Sequence, residues 1–322
     1  MTSPATTPAR TDTQLAHPRL HALVSRARTA AVAQQQPVAV VYPCDALALQ
    51  AADGMAREGI ARPVLVGPEA DIHRAADAAG VSIQGFELID AGPTAVDAAQ
   101  QAVALARSGS VAALMKGSLH TDELMSAVVR REGGLRGPRR ISHAFVFDLP
   151  RYHKLLALAD CVVNIAPDLK TKRDILGNAL DLLRTLGIER PKAGIVAAVE
   201  SVNPAIPATL DAQALVEAHR QGEWPEATIE GPFGFDNAIS AEAARIKKIT
   251  SEVAGDPDLL LMPDLNAGNM LYKCFAYIGG GECAGLVLGA QVPVVLTSRA
   301  DSPLARIASV ALAVLAATKP GS

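Results

Sequence analysis

Short, continuous apolar runs alternate along this chain with stretches whose apolar positions recur every three to four residues. The first pattern predicts strands buried on both faces, the second amphipathic helices. Strands are predicted at residues 37–42, 64–67, 86–90, 111–115, 144–147, 161–165, 193–199, 259–262, 285–289 and 292–296, and the clearest helices at 45–58, 94–107 and 168–186. Asp45 and Asp168 stand where N-caps belong, and Gly187 where a helix stops. The alternation predicts an α/β fold with largely parallel pairing. No apolar period crosses the Gly-, Pro- and Arg-rich stretch 133–140, which marks a boundary. A last helix, roughly 302–317, follows a strand able to return to the first half.

Composition adds limits. The chain has 322 residues, 49% apolar and only 3% aromatic, with a single Trp. At ~150 residues per domain it suits two domains, each with an aliphatic core. A net charge of −3 offers no basic field for nucleic acid. Cys44, Cys161, Cys274 and Cys283 form no CxxC pair and lie in or beside apolar runs, where thiols pack as small hydrophobes. A reduced, disulfide-free cytoplasmic chain is expected. The polar opening residues, expected to be a disordered tail over 1–15, lack the apolar run of a signal peptide. The longest apolar helical stretch, 307–317, is shorter than the ~20 residues that span a bilayer, so no membrane association is expected.

Candidate chemistry sits where strands end, the edge at which wound sheets hold ligands. In VVLTSRADS (294–302), Ser298, Arg299 and Asp301 precede a helix start at Ser302–Pro303, where free N–H groups favour anions. A helix cap uses the same residue types. In MPDLNAGNMLYK (262–273), Asp264, Asn266, Asn269 and Lys273 line a second edge, although Asp, Asn and Gly are also ordinary turn residues. In MKGSLHT (115–121), Lys116, Ser118, His120 and Thr121 offer donors to a phosphate, and Gly117 permits close backbone approach. Arg130, Arg131, Arg136, Arg139 and Arg140 suit a polyanion such as coenzyme A, or a solvated linker. Gly279–Ala284 fits GxGxxA but follows a helix and precedes a strand, the reverse of a dinucleotide turn. GPFGFD (231–236) lacks the Lys-Ser/Thr of a P-loop. The histidines show no metal-ligand spacing, and no GxSxG elbow is present.

LMKGSLHT (114–121), ISHAFVFDLP (141–150), ADCVVNIAPDLKTK (159–172), AAVESVNPAIPAT (197–209), GPFGFDNAIS (231–240), MPDLNAGNMLYK and VVLTSRADS, in that order, resemble the phosphate acetyltransferase and phosphate butyryltransferase family. The resemblance covers nearly the whole chain after the tail. PDLNAGN is close to the acetyl branch; LTSRADS, VNPAIPAT and NIAPDLKTK are close to the butyryl branch. It implies a two-domain α/β fold similar to isocitrate and isopropylmalate dehydrogenases, with an interdomain active-site cleft and a homodimeric assembly. Combined with the break at 133–140, it places a first domain at 16–141 plus 296–322 and a second at 142–295. The clustered metal-binding aspartates of those dehydrogenases are missing, so no metal is expected.

The implied reaction is direct acyl transfer: acyl-CoA plus phosphate gives acyl phosphate plus CoA, acetyl ahead of butyryl, with coenzyme A as substrate and no tightly bound cofactor. Ser298 and Arg299 resemble the family's Ser-Arg pair: Arg299 would hold phosphate or polarise the carbonyl, and Ser298 would hydrogen-bond the sulfur or oxyanion. The acetyl branch carries its base Asp seven residues after that Ser, where this chain has Ala305. Asp301 is the nearest carboxylate and takes the base assignment, with Asp264 in reserve. Phosphate and CoA contacts fall to Lys116, His120, Thr121, Asp264, Asn266, Asn269 and Lys273. A non-catalytic domain of the same fold that binds CoA or acyl phosphate is the alternative.

Overall fold

The computed structural model describes residues 16–298 and 300–318. The tail expected over residues 1–15 and the candidate Arg299 lie outside the described residues. Strands β1 (Pro37–Val41), β2 (Arg62–Gly67), β3 (Glu87–Asp90), β4 (Ala113–Lys116), β5 (Ser142–Asp148), β6 (Leu156–Ala159), β7 (Lys192–Val196), β8 (Thr228–Phe233), β9 (Leu259–Leu261), β10 (Glu282–Leu288) and β11 (Val294–Val295) form one sheet. Around them run α1 (Pro18–Ala31), α2 (Ala46–Arg57), α3 (Glu69–Ala79), α4 (Ala95–Arg107), α5 (Thr121–Val128), α6 (Leu169–Thr185), α7 (Pro207–Arg220), α8 (Phe235–Ile239), α9 (Ala241–Ile246), α10 (Leu265–Tyr277) and α11 (Pro303–Ala317). The strand order is β3-β2-β1-β4-β11-β10-β5-β6-β9-β7-β8. Pairing is parallel within each half and antiparallel across the middle, at β11–β10, β10–β5 and β5–β6. β11 pairs in parallel with β4, so the chain does return to the first half before α11.

Helix starts follow the predicted caps. The Asp45 carboxylate accepts from Ala48 N–H at 2.8 Å and Asp168 from Thr171 N–H at 2.8 Å. Thr94 and Asp97 make a reciprocal capping box at α4. Gly187, with φ +84°, follows the last turn of α6 in the left-handed region that glycine adopts without penalty.

The two faces of the sheet are packed differently, and this creates the site. One face carries a continuous core: Val40, Met115, Val295, Leu286, Ala144, Ala157, Leu259 and Ile195 run through a single cluster from β1 to β7 under α1, α2, α6 and α11. The other face has two cores. Val41, Leu114 and Val294 pack with residues of α4 and α5. Leu158, Leu260 and Phe147 pack in a second cluster, against which α10 lies. β10 bridges them, with Val287 in one and Cys283 in the other. Between those two residues stands Gly285, which contributes no side chain. A Cβ there would meet Phe145 Cε1 at 2.9 Å and His143 Cε1 at 3.2 Å. The gap between the two cores is therefore occupied by His143 and Phe145 of β5.

The reading of the sequence needed correction at several places. Residues 161–165 form a loop rather than a strand; the strand lies just upstream, at β6. The Asp160 carboxylate accepts from the backbone N–H of Val162, Val163 and Asn164, which removes those amides from any ladder. β8 was not predicted because Gly231 and Pro232 interrupt its pattern; it is an edge strand, where Pro is tolerated. α1, which packs along α11 before the first strand, was not predicted either. All four cysteines carry free thiols, but Cys274 is exposed on α10 rather than packed as a small hydrophobe. Among the described residues no helix is long and apolar enough to cross a membrane.

Candidate active site

A cleft of about 490 Å³ opens between the two cores. One wall comes from the ends of β4 and β11: Lys116, Leu119, His120, Thr121, Leu296, Thr297, Ser298 and Asp301. The other comes from β5, the loop after β6, and α10: His143, Phe145, Val162, Tyr272, Lys273 and Tyr277. Of the ten residues proposed from sequence, Lys116, His120, Thr121, Lys273, Ser298 and Asp301 meet here. Asp264, Asn266 and Asn269 do not line the cleft, and Arg299 falls outside the described residues.

The two strand ends on the first wall are tied together, with Thr297 Oγ1 donating to the Lys116 carbonyl at 3.2 Å. Lys116 is half-buried, and its Nζ donates to the carbonyls of Gly117 and Leu119, both at 3.1 Å, which fixes the ammonium at the cleft. Gly117 is required for a reason different from the expected one. Its close approach is to the chain itself, since an added Cβ would lie 2.4 Å from the Val41 carbonyl oxygen. Ser118 donates to the Tyr42 carbonyl at 2.7 Å and so holds the end of β1. His120 and Thr121 are exposed at the start of α5.

After β11 the chain makes a tight turn. Asp301 Oδ2 accepts from Ser298 N–H at 2.7 Å, and Asp301 N–H donates to the Ser298 carbonyl at 3.2 Å. Asp301 does not cap α11. Ser302 does, accepting from Ala305 N–H at 3.0 Å and donating to Glu282 at 2.5 Å, with Pro303 at N1. Arg306, buried in the first turn of α11, donates to the Ser298 carbonyl at 3.3 Å. Burial pushes the Asp301 carboxyl above the ordinary range and the Glu282 charge adds to it, against the Ser298 N–H and the charges of Arg306 and Lys116. A carboxylate whose pKa is raised is a stronger proton acceptor than an ordinary exposed one.

The α10 turn uses its polar residues structurally. Asp264 caps the helix, accepting from Ala267 N–H at 2.9 Å. Asn269 Nδ2 donates to the Cys161 carbonyl at 3.1 Å, and Gly268 packs where a Cβ would meet the Asp160 carbonyl at 2.4 Å. Asn266 is exposed. The second wall is aromatic: Phe145 and Tyr272 stack at 4.1 Å and 3°, and the His143 ring lies 4.4 Å from Phe145. Burial pushes the Tyr272 hydroxyl well up. Sequence reasoning missed this wall. The alternation of His143, Phe145 and Phe147 within ISHAFVFDLP was its available signal, since period two puts all three on one face.

The arginine-rich stretch has other duties. Arg139 pairs with Asp181 at 2.6 Å, Arg140 Nε donates to Asn164 Oδ1 at 2.9 Å, and Arg136 bonds the Val129 carbonyl. Among the described residues no group of three His, Cys, Asp or Glu side chains is placed to hold a metal ion.

A cation, a hydroxyl and a raised carboxylate facing an aromatic wall make a site for group transfer to or from an anion. Comparisons with known proteins identify the family. The family model described as "Phosphate acetyl/butaryl transferase" matches residues 90–314. A phosphate acetyltransferase of Rhizobium meliloti is 48% identical over 280 residues, 87% of this chain and 88% of that protein. A phosphate butyryltransferase of Clostridium acetobutylicum is 38% identical over 88% of this chain and 94% of its own. The crystal structure of a branched-chain phosphotransacylase from Enterococcus faecalis V583 superimposes with a TM-score of 0.77 at 28% identity, covering 88% and 99% of the two chains. A 4-hydroxythreonine-4-phosphate dehydrogenase from Klebsiella pneumoniae, at 15% identity and TM-score 0.54 over 88% and 99%, is alike in fold alone. The fold is thus the dehydrogenase-like two-domain α/β type. This chain belongs to the phosphate acetyl/butyryl transferase family.

Proposed function

We propose that this chain catalyses reversible acyl transfer, acyl-CoA plus phosphate to acyl phosphate plus CoA, with acetyl as the preferred group and butyryl second. The observation that carries this reading is the turn after β11, where Ser298 and a half-buried Asp301 stand beside Lys116 and across one cleft from a largely aromatic wall that also carries His143 and Lys273. The acetyl preference is supported by the 48% identity to a phosphate acetyltransferase. Lys116, with Arg299 by its place in the family motif, neutralises the phosphate; Thr121, His120 and Lys273 supply further donors at the rim. Ser298 hydrogen-bonds the sulfur or the oxyanion. In the direction that consumes CoA, Asp301 takes the thiol proton as the sulfur attacks the acyl phosphate carbonyl. Coenzyme A is a substrate, no tightly bound cofactor or metal takes part, and neither nucleic acid nor membrane is a partner.

The split of the second core supports a first domain of 16–141 plus the chain from 296 onward, and a second of 142–295. A homodimer through the second domain is supported by α10, whose Met270 and Tyr277 lie two turns apart on one face and are 67% and 73% exposed. Sedimentation at micromolar concentration is expected to give about twice the 33.4 kDa chain mass. A monomer would contradict the dimer. A cytoplasmic location fits the four free thiols. The test of the reaction is CoA release from acetyl-, propionyl- and butyryl-CoA side by side, with and without phosphate. Phosphate-dependent release, fastest with acetyl-CoA, is expected; binding of CoA without release in any arm would overturn the catalytic reading.

A further inference from the structure

His143 lines the cleft yet is only 1% exposed, and its Nδ1 has no hydrogen-bond partner among the described residues. A buried nitrogen in that state costs ~1–3 kcal/mol, and native structures keep few of them. Nothing beside it supplies a partner. Phe145 presents a ring, Gly285 presents no side chain, and the nearby acid, Asp160, is taken up by the amides of residues 162–164 and by Asn164 Nδ2 at 2.6 Å. Burial pushes the imidazole down to about 4, against the opposing charge of Asp160. The ring is therefore neutral near pH 7, with one nitrogen carrying a proton. So weak a base does not compete for a thiol proton, whose ordinary pKa is ~8.5. Donation of a hydrogen bond is the role left to it, and the site it faces handles a carbonyl.

We propose that His143 is a further catalytic residue, a neutral imidazole that donates a hydrogen bond to the acyl carbonyl oxygen of the bound substrate. This rests on the acyl-transfer reading above. In the forward direction a phosphate oxygen forms the new C–O bond and the carbonyl electron pair moves onto oxygen, where the His143 N–H meets it. The C–S bond then breaks and its electron pair leaves with sulfur, which takes the proton given up by the hydrogen phosphate. His143 keeps its own proton throughout. The apolar surroundings strengthen the contact, because a donor aimed at developing charge is worth more where water is excluded.

The test compares His143→Phe and His143→Gln in the full chain, reading kcat and KM for acetyl-CoA and phosphate together with Tm. Loss of one such donor is expected to lower kcat ~10²–10³-fold with KM little changed. Gln, which keeps an N–H donor, is expected to recover at least about tenfold of that loss. A Phe variant with kcat near wild type, a loss confined to KM, or Gln no better than Phe overturns the assignment. Should the variants not fold, ¹⁵N-histidine labelling of the wild-type chain decides the matter. The imidazole that stays neutral as pH is lowered is expected to shift its ring-nitrogen resonance on saturation with acetyl phosphate alone, and an unmoved resonance overturns the proposal. A wild-type chain without phosphate-dependent CoA release refutes the reaction itself; an active wild type with indifferent His143 variants refutes only this inference.

Discussion

The turns before α10 and α11 are built from the same residue types, yet they use them in opposite ways. Before α10, Asp264 is the N-cap, with its carboxylate committed to Ala267 N–H. Before α11, Ser302 takes the capping role, which leaves Asp301 one residue earlier to close the turn on Ser298 and face the cleft. One hydroxyl at the cap position leaves the preceding carboxylate uncommitted to the helix. The chemical identity of a strand-end residue thus matters less than which neighbour satisfies the helix.

The largest expected effect separates these two acids. Asp301→Asn is expected to cut kcat ~10²–10⁴-fold, the range of a lost general base, with the greater loss in the direction that consumes CoA thiol. Near-normal turnover would return Asp301 to a structural role. Asp264→Ala is expected to leave kcat within a few-fold; a loss as deep as that of Asp301→Asn would mean that the acids had been assigned the wrong way round. Arg299→Ala comes next. It removes a charge-assisted contact of ~1.5–3 kcal/mol, or ~10–150-fold at ~1.4 kcal/mol per decade, and phosphate saturation is the readout. Unchanged kcat and phosphate KM would dismiss it.

Stability sharpens the same contrast from the other side. Asp264→Ala and Ser302→Ala each lose a cap and are expected to cost ~1 kcal/mol in denaturant melts; an unchanged midpoint in either would show that the cap bonds contribute nothing. Asp301 behaves differently. Its folded-state pKa is raised above the unfolded ~3.9, so the folded chain holds the proton more tightly. That stabilisation is complete below the unfolded value and is lost as pH rises through the folded one. At pH 7 the carboxylate is charged and partly desolvated, so Asp301→Asn is expected to leave Tm unchanged or slightly raised. A fall of several degrees at pH 7 would contradict this. His143 has the reverse sign for a base. Its depressed pKa makes the unfolded chain bind more protons between ~6.5 and about 4, so stability is present above ~6.5 and declines as pH falls through that window. His143→Phe is expected to flatten that decline.

Much of this was legible before the structure. Parallel strands, the caps Asp45 and Asp168, the stop at Gly187 and the polar wall formed by Lys116, Ser298 and Asp301 all follow from local rules: periodicity, capping and ligand placement at strand ends. What escaped reading depended on distant partners. Asp160 makes a loop of residues that look like a strand because its carboxylate is buried among their amides. The aromatic wall exists because β10 places a glycine between its two core residues, opposite Phe145. Asp264 and Asn269 read as ligands because capping and loop-holding select the same side chains as binding.

In the proposed function, Ser298, Asp301 and their cleft move an acyl group between sulfur and phosphate. The most direct measurement is the amount of acetyl phosphate formed per CoA released, with purified wild-type chain, acetyl-CoA and varied phosphate. One acetyl phosphate per CoA, and no release without phosphate, is the predicted result. CoA released without phosphate, or free acetate in place of acetyl phosphate, would make the chain a hydrolase and contradict the account.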